Sequence, residues 1–269
     1  MQRLNKFIAS SGFCSRRKAD EYIENGDVVV NGRIIKELGF QVGPKDKVSV
    51  EGKLVKPLKM EYYRFYKPAG YITTSEDEKG RKTIYDIIPP ELAKLKPVGR
   101  LDKDSTGLII MTNDGELINE MTHPSIKVPK IYLVNINGKL TPEEGEKMYN
   151  GIEIETDTGE KKMAYAQVLP IELTNKSSTL QVTLHQGINR QIRKMFASLG
   201  YEVISLKRIQ HGTITLDGIK KGQIKPMKPK HVKELKGYLA KIRRDSKWSL
   251  TRLSGILSHK GRGEMQGNN

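Results

Sequence analysis

The sequence predicts an α+β protein built from a small helix-helix-strand unit and a larger unit that mixes strands and helices. Three observations carry that prediction. Apolar residues fall at helical spacing within residues 3–24, hairpin signals follow as far as residue 55, and from residue 61 to about 240 strand-like and helix-like segments alternate. With 269 residues and 36% hydrophobic content, the chain can build one sizeable core and a small companion.

Leu4, Phe7 and Ile8 form the apolar face of a first short helix, and Ser15 caps a second that runs through Ala19, Tyr22 and Ile23 to Gly26. Val28-Val29-Val30 leads into Asn31-Gly32, a two-residue hairpin signal, and Val48 to Val55 repeats the pattern around Glu51-Gly52. Lys56-Pro57-Leu58-Lys59 interrupts it, which sets the first unit at residues 1–58 and the second at 61–240. In the second unit a Gly-bounded loop from Gly99 feeds the apolar strand Leu108 to Thr112, and Ile131 to Ile136 reads as another strand. Thr141-Pro142-Glu143-Glu144 supplies a cap, a first-turn proline and acidic residues for a short helix to Tyr149. Ile192, Met195, Phe196 and Leu199 stand at i, i+3, i+4 and i+7, the stripe of one further helix. After residue 240 seven Lys/Arg face two acidic residues with little apolar periodicity, so residues 241–269 read as a basic, disordered tail.

Lys and Arg number 47 against 31 Asp and Glu, a net charge of +16 that suits a polyanionic partner such as nucleic acid. No apolar run approaches the ~20 residues of a spanning helix, and the N-terminus lacks the apolar core of a signal peptide, so a soluble, intracellular protein without a membrane partner is expected. Cys14 is the one cysteine, which excludes an internal disulfide and a Cys-rich zinc site. The five histidines lie far apart, and no metal site is expected. Gly80-Arg81-Lys82-Thr83 lacks the upstream glycine and the ending of a phosphate loop.

Gly99-Arg100-Leu101-Asp102-Lys103-Asp104-Ser105-Thr106-Gly107-Leu108 places a carboxylate in a turn that a rigid strand could hold at the floor of a cleft. Taken alone, such an aspartate is a solvated turn residue. Together with Thr112-Asn113-Asp114-Gly115, however, the stretch resembles the signature of RNA pseudouridine synthases of the ribosomal RsuA/RluB/RluF branch. Lys67-Pro68-Ala69-Gly70-Tyr71, Lys130-Ile131-Tyr132-Leu133-Val134, Gly187 to Met195 and Leu206-Lys207-Arg208-Ile209 with Gly212 agree with it. The first unit, with Arg3-Leu4-Asn5-Lys6, Ser15-Arg16-Arg17-Lys18-Ala19 and Val30-Asn31-Gly32, is similar to the S4-type RNA-binding module.

The resemblance implies a largely antiparallel catalytic domain with a central cleft that isomerises a uridine of ribosomal RNA to pseudouridine without a cofactor. It makes Asp102 the nucleophile, attacking C1′ of the ribose or C6 of the base, or else assisting loss of a ribose proton. Arg193 becomes the ion-pair partner of Asp102, holding it ionised, and Tyr132 stacks on the uracil and accepts a proton. Arg100 either fills the space of a flipped base or holds a flanking phosphate. Arg190 and Lys194 load cations into the first turns of their helix, and Arg16, Arg17 and Lys18 do the same in theirs, an arrangement that the helix dipole disfavours unless an anion lies near. These residues, with Arg3, Lys6 and Lys67, form the expected RNA-binding set. Asp104 reads as a surface or turn residue.

The substrate expected from the resemblance is large-subunit rRNA near the peptidyl-transferase centre, as free RNA or within an assembling subunit, acted on by a cytoplasmic monomer. Small-subunit rRNA is the alternative target. A non-enzymatic ribosome-assembly factor is the rival class, and the intact set of Asp102, Tyr132 and Arg193 argues against it, since binding RNA does not require a carboxylate facing phosphates.

Overall fold

The structure, a computed structural model, describes residues 1–74, 77 and 79–260, with side chains described as far as residue 245. It divides into two compact units: Met1–Glu61 with Glu91–Lys96 and Thr112–Gly115, and the rest of the described chain.

In chain order the smaller unit holds β1 (Gln2–Arg3), α1 (Leu4–Ser10), α2 (Arg16–Asn25), β2 (Val28–Val30), β3 (Arg33–Ile34), β4 (Gln41–Val42), β5 (Val48–Val50) and β6 (Lys53–Val55). Leu4, Phe7 and Ile8 of α1 and Ala19 and Ile23 of α2 are buried against the valines of β2 and β5. The expected cap is present: Ser15 Oγ accepts the Lys18 N–H at 3.2 Å, and the helix closes at Gly26. The sheet runs β3-β2-β5-β6. Its two hairpins turn at Asn31-Gly32 and Glu51-Gly52, all four with positive φ (51°, 82°, 47° and 74°), the geometry whose twist matches the flanking strands.

The larger unit contains β7 (Tyr62–Lys67), β8 (Lys96–Pro97), β9 (Thr106–Thr112), α3 (Gly115–Thr122), β10 (Lys130–Asn137), α4 (Pro142–Asn150), β11 (Ile152–Glu155) and β12 (Lys161–Ala164). It continues with β13 (Gln167–Leu173), β14 (Ser177–Leu184), α5 (Gln191–Ser198), β15 (Val203–His211), β16 (Ile214–Thr215), β17 (Ile224–Pro226) and α6 (Pro229–Lys260). Its main sheet, nine-stranded among the described residues, follows the order β13-β14-β10-β15-β9-β7-β17, with β16 beside β15 and β8 beside β9. Pairing is antiparallel for β13-β14, β14-β10, β10-β15 and β7-β17, while β9 runs parallel to β15. The fold is therefore mixed α+β with mostly antiparallel sheets. Thr141 and Glu144 form the expected capping box of α4, with Pro142 at its first turn.

The close approach of β9 and β15 fixes the strand that leaves the Asp102 loop. A Cβ on Gly107 would lie 2.3 Å from the Arg208 carbonyl oxygen and 2.5 Å from its nitrogen, and Gly107 has φ +113°. Backbone on both sides leaves nothing flexible to move aside. Gly107→Ala is expected to destabilise the protein by about 3 kcal/mol or more in chemical denaturation. A loss under about 1 kcal/mol would show that the two strands can separate freely.

The C-terminal expectation needs correction. Helix α6 continues to Lys260, so residues 241–260 are helical rather than irregular; residues 261–269 lie outside the described residues. Leu235 and Leu239 anchor its start in the core, and no proline follows Pro229 to stop a helix that packing has already nucleated. Among the described residues, no helix is long and apolar enough to cross a membrane.

Candidate active site

Strand β7 ends on Lys67, whose side chain is wholly buried. Its ammonium donates to the backbone carbonyls of Ser105 (2.8 Å), Asp102 (2.9 Å) and Pro68 (3.1 Å), with Lys103 at 3.4 Å. The Thr73 hydroxyl donates to the Leu101 carbonyl at 2.8 Å and accepts the Leu101 N–H at 3.2 Å, and the Gly70 N–H donates to the Lys103 carbonyl at 2.7 Å. The loop is thus held through its backbone, which leaves its side chains available. Asp102 is half-buried, and among the described residues its carboxylate has neither a hydrogen bond nor an ion pair.

Lys67 cannot meet RNA, which corrects the expectation that it belongs to the RNA-binding set. A lysine buried on every side can satisfy its charge only from within, and here the loop carbonyls do so. Burial pushes its pKa down to about 8; the charges of Asp102 and Asp104 oppose that fall and Arg208 assists it.

Arg193 is engaged by Asp104, not by Asp102. Its Nη2 lies 3.1 Å from Asp104 Oδ2, and its Nη1 donates to the Val203 carbonyl at 2.9 Å. Arg190 Nη1 reaches Asp104 Oδ1 at 3.2 Å. Asp104 is therefore a bridge from the loop to the start of α5 rather than a plain turn residue, because of two carboxylates two positions apart it is the one in reach of both guanidinium groups. Partial burial alone would raise its pKa, but the hydrogen bond from Arg190 and the charges of Arg193 and Arg190 hold it below the ordinary value. Arg190, the residue before α5, sits in the left-handed region at φ 53°, a conformation that typically costs about 1–2 kcal/mol outside glycine.

If this bridge acts as a unit, Asp104→Ala and Arg193→Ala lower the single-turnover rate by similar factors, and the double variant falls little further. Multiplicative losses in the double variant would separate the two residues.

Tyr132, on β10, is only 7% exposed, with Arg208 opposite it on β15. Arg208 is also buried, and its Nε donates to the Leu108 carbonyl at 2.7 Å, while its Nη2 has no partner among the described residues. Lys130, two positions before Tyr132, is pushed down to about 8 by burial and then by Arg208 and Lys127. The wholly buried His211 is kept neutral, its pKa driven well below the ordinary value first by burial and then by the charges of Arg208 and Lys130. Lys67, Arg208 and Lys130 make this region electropositive, which favours an anionic substrate.

Of the other expected RNA contacts, Arg100 is exposed, whereas Lys194 is already paired with Asp157 at 2.6 Å. In the smaller unit Arg3, Arg16, Arg17 and Lys18 are exposed and Lys6 is half-buried. The first turn of α2 holds no acidic residue, and Lys18 pairs with Glu21 at 2.7 Å. Spacing along the chain carries no sign of the contacts from Lys67 to the loop, of the Asp104 bridge or of the burial of Arg208.

The chain matches the RNA pseudouridylate synthase family over residues 61–198 and the S4 domain over residues 2–48. It belongs to the RNA pseudouridine synthases. It is 39% identical over 236 residues to the ribosomal large subunit pseudouridine synthase B of Bacillus subtilis (strain 168), covering 88% of this chain and 96% of that protein. The dual-specificity RNA pseudouridine synthase RluF of Escherichia coli (strain K12) is 40% identical over 224 residues, covering 82% and 73%. A crystal structure of a pseudouridylate synthase superposes with a TM-score of 0.62 at 29% identity, over 87% of this chain and 100% of that one. An RNA pseudouridine synthase thus carries an S4 domain ahead of the loop that presents Asp102.

Proposed function

We propose that this RNA pseudouridine synthase isomerises a uridine of ribosomal RNA, in the large subunit, with Asp102 as its nucleophile. The observation that carries this reading is the contrast within one loop: the backbone around Asp102 is fastened by a buried lysine and a threonine, while the Asp102 carboxylate has no protein partner among the described residues. A structural aspartate in an electropositive site would be paired; a nucleophile must be free.

The reaction breaks the bond from N1 to C1′, turns the base, forms a bond from C5 to C1′, and balances the proton lost from C5 with one gained at N1. Nothing is oxidised and no group is added. Near C1′ an ionised Asp102 stabilises positive charge that develops on the sugar or bonds to it directly, as carboxylates do in glycoside cleavage. Tyr132 lines the place where the loose base is held and supplies a stacking face and a proton acceptor. Arg193 acts through Asp104, holding the loop against α5 and adding positive charge near both carboxylates. A uridine in folded RNA must leave its stack to reach Asp102, at a cost of a few kcal/mol that stacking and phosphate contacts offset. Arg100, exposed two positions before Asp102, either fills the vacated space or holds a flanking phosphate.

The large-subunit target is supported by the B. subtilis relative, whose name assigns it to that subunit. The test is to incubate the purified protein with large-subunit and small-subunit rRNA transcripts and map pseudouridine in each. One modified uridine in the large-subunit transcript is expected; modification confined to the small-subunit transcript would reassign the target.

A further inference from the structure

Between Asp217 and Glu234 the catalytic unit carries six lysines, Lys220, Lys221, Lys225, Lys228, Lys230 and Lys233, and no acidic residue. They lie along the turn before β17, on β17 itself at the edge of the main sheet, and around the start of α6. All are exposed except Lys225, which is half-buried.

This placement is electrostatically unfavourable for the protein alone. Lys225 sits directly opposite Arg64 across the pairing of β17 with β7, where like charges destabilise. The first turn of α6 has no acidic residue and carries Lys230, against the helix dipole. Among the described residues, one of the six meets a carboxylate: Lys230 lies 3.9 Å from Glu234, both exposed, a pair worth at most about 1 kcal/mol. Lys220, Lys221, Lys228 and Lys233 have none.

The row also starts beside the site. Tyr66 donates its N–H to the Gln223 carbonyl at 3.0 Å and accepts the Gly222 N–H at 2.8 Å, so the turn with Lys220 and Lys221 is fixed next to Tyr66, the neighbour of Lys67. From there the row leads away along the three residues of β17, about 10 Å at about 3.4 Å per residue of strand, and continues into the start of α6. A duplex presents a phosphate charge about every 1.7 Å of axis, so a row of this length spans many phosphates.

We infer that this lysine row is a docking surface for the phosphate backbone of helical RNA flanking the target uridine, separate from the S4 domain. The inference rests on the RNA pseudouridine synthase reading. A membrane surface fits less well, because the apolar residues of α6 at this end, Leu235 and Leu239, are buried in the core and leave no face to insert.

The test uses the full-length protein and an rRNA fragment that the wild type modifies. In one variant Lys220, Lys221, Lys228, Lys230 and Lys233 all become Gln; in a second all five become Arg. The Gln variant is expected to bind at least about 10-fold more weakly and to flatten the slope of log K against log salt by about two units or more, with the loss appearing in half-saturation rather than in the saturated rate. The Arg variant keeps the charge and binds like wild type. Amine labelling of the wild-type protein, which needs no variant to fold, should show these lysines protected when RNA is added. Unchanged affinity and slope in a folded Gln variant, or labelling that RNA does not alter, would overturn the inference. So would tighter capture of the wild type by phosphatidylserine vesicles than by the RNA. If the wild type makes no pseudouridine in any rRNA, the functional reading fails, while protection of these lysines by RNA still reports on the surface itself.

Discussion

Asp102→Asn is expected to lower the single-turnover rate of pseudouridine formation by at least about 10⁴-fold while RNA affinity and melting temperature stay near wild type. The amide has almost the same size, and the Asp102 side chain holds nothing in place, so the exchange removes a charge and a nucleophile without removing a structural contact. The backbone carbonyl of residue 102 still accepts from Lys67 at 2.9 Å whichever side chain is present. A variant within about tenfold of the wild-type rate would take Asp102 out of its role and turn attention to Asp104.

Lys67→Met carries the second large effect, and it strikes stability and rate together. Methionine matches the length of the stem, but the Ser105 carbonyl loses its donor in a buried site and those of Asp102 and Pro68 lose theirs in a partly buried one. Each unsatisfied buried group costs about 1–3 kcal/mol, partly offset because a buried charge is also removed, which leaves a net loss of about 2–4 kcal/mol. The loosened loop should lower the rate at least about 100-fold, since small misplacement of a reacting group is expensive.

The wild-type protein offers an independent signature of the same residue. The pKa of Lys67 is about 8 in the folded state against an ordinary 10.5, so at pH 7 the amine is charged and donates three N–H groups. As pH rises through about 8 it loses a proton, one carbonyl loses its donor, and the saturated rate should fall. Between 8 and 10.5 the unfolded state binds more protons at this group, so its contribution to stability rises with pH, opposite to the rate. Lys130, also near 8, is the rival source of an alkaline limb. Lys130→Met should retain the limb if Lys67 causes it, and its disappearance in that variant would transfer the assignment.

What the sequence made legible was local chemistry. Ser15 with Gly26, Asn31 with Gly32, and Thr141 with Glu144 announce their own elements because cap, turn and partner lie within a few residues. Asp102 sits in a glycine-bounded turn leading into an apolar strand, but that local chemistry alone describes a solvated turn residue, and only the resemblance of the surrounding motifs to RNA pseudouridine synthases singles it out. The contacts that make it a site are distant: Lys67 reaches carbonyls 35 to 38 residues away, and no pattern along the chain distinguishes a lysine bound for the interior from one bound for RNA. Arg193 failed in a subtler way. Its pairing with a carboxylate of this loop came from the family resemblance alone, and because Asp102 and Asp104 are two positions apart, the turn that Ser105 N–H closes on the Asp102 carbonyl decides which one meets α5. The C-terminal helix is not legible because apolar periodicity is weak after residue 240, whereas a helix anchored by Leu235 and Leu239 propagates without needing a stripe along its whole length.

The most direct test of the account is genetic replacement followed by a complete pseudouridine map of ribosomal RNA. Deleting the gene should remove pseudouridine from a discrete position in large-subunit rRNA; restoring the wild-type chain should return it, and restoring the Asp102→Asn chain at equal abundance should not. An unchanged map after deletion, or full recovery of the mark with Asp102→Asn, would contradict the claim that this loop and its free carboxylate isomerise ribosomal uridine.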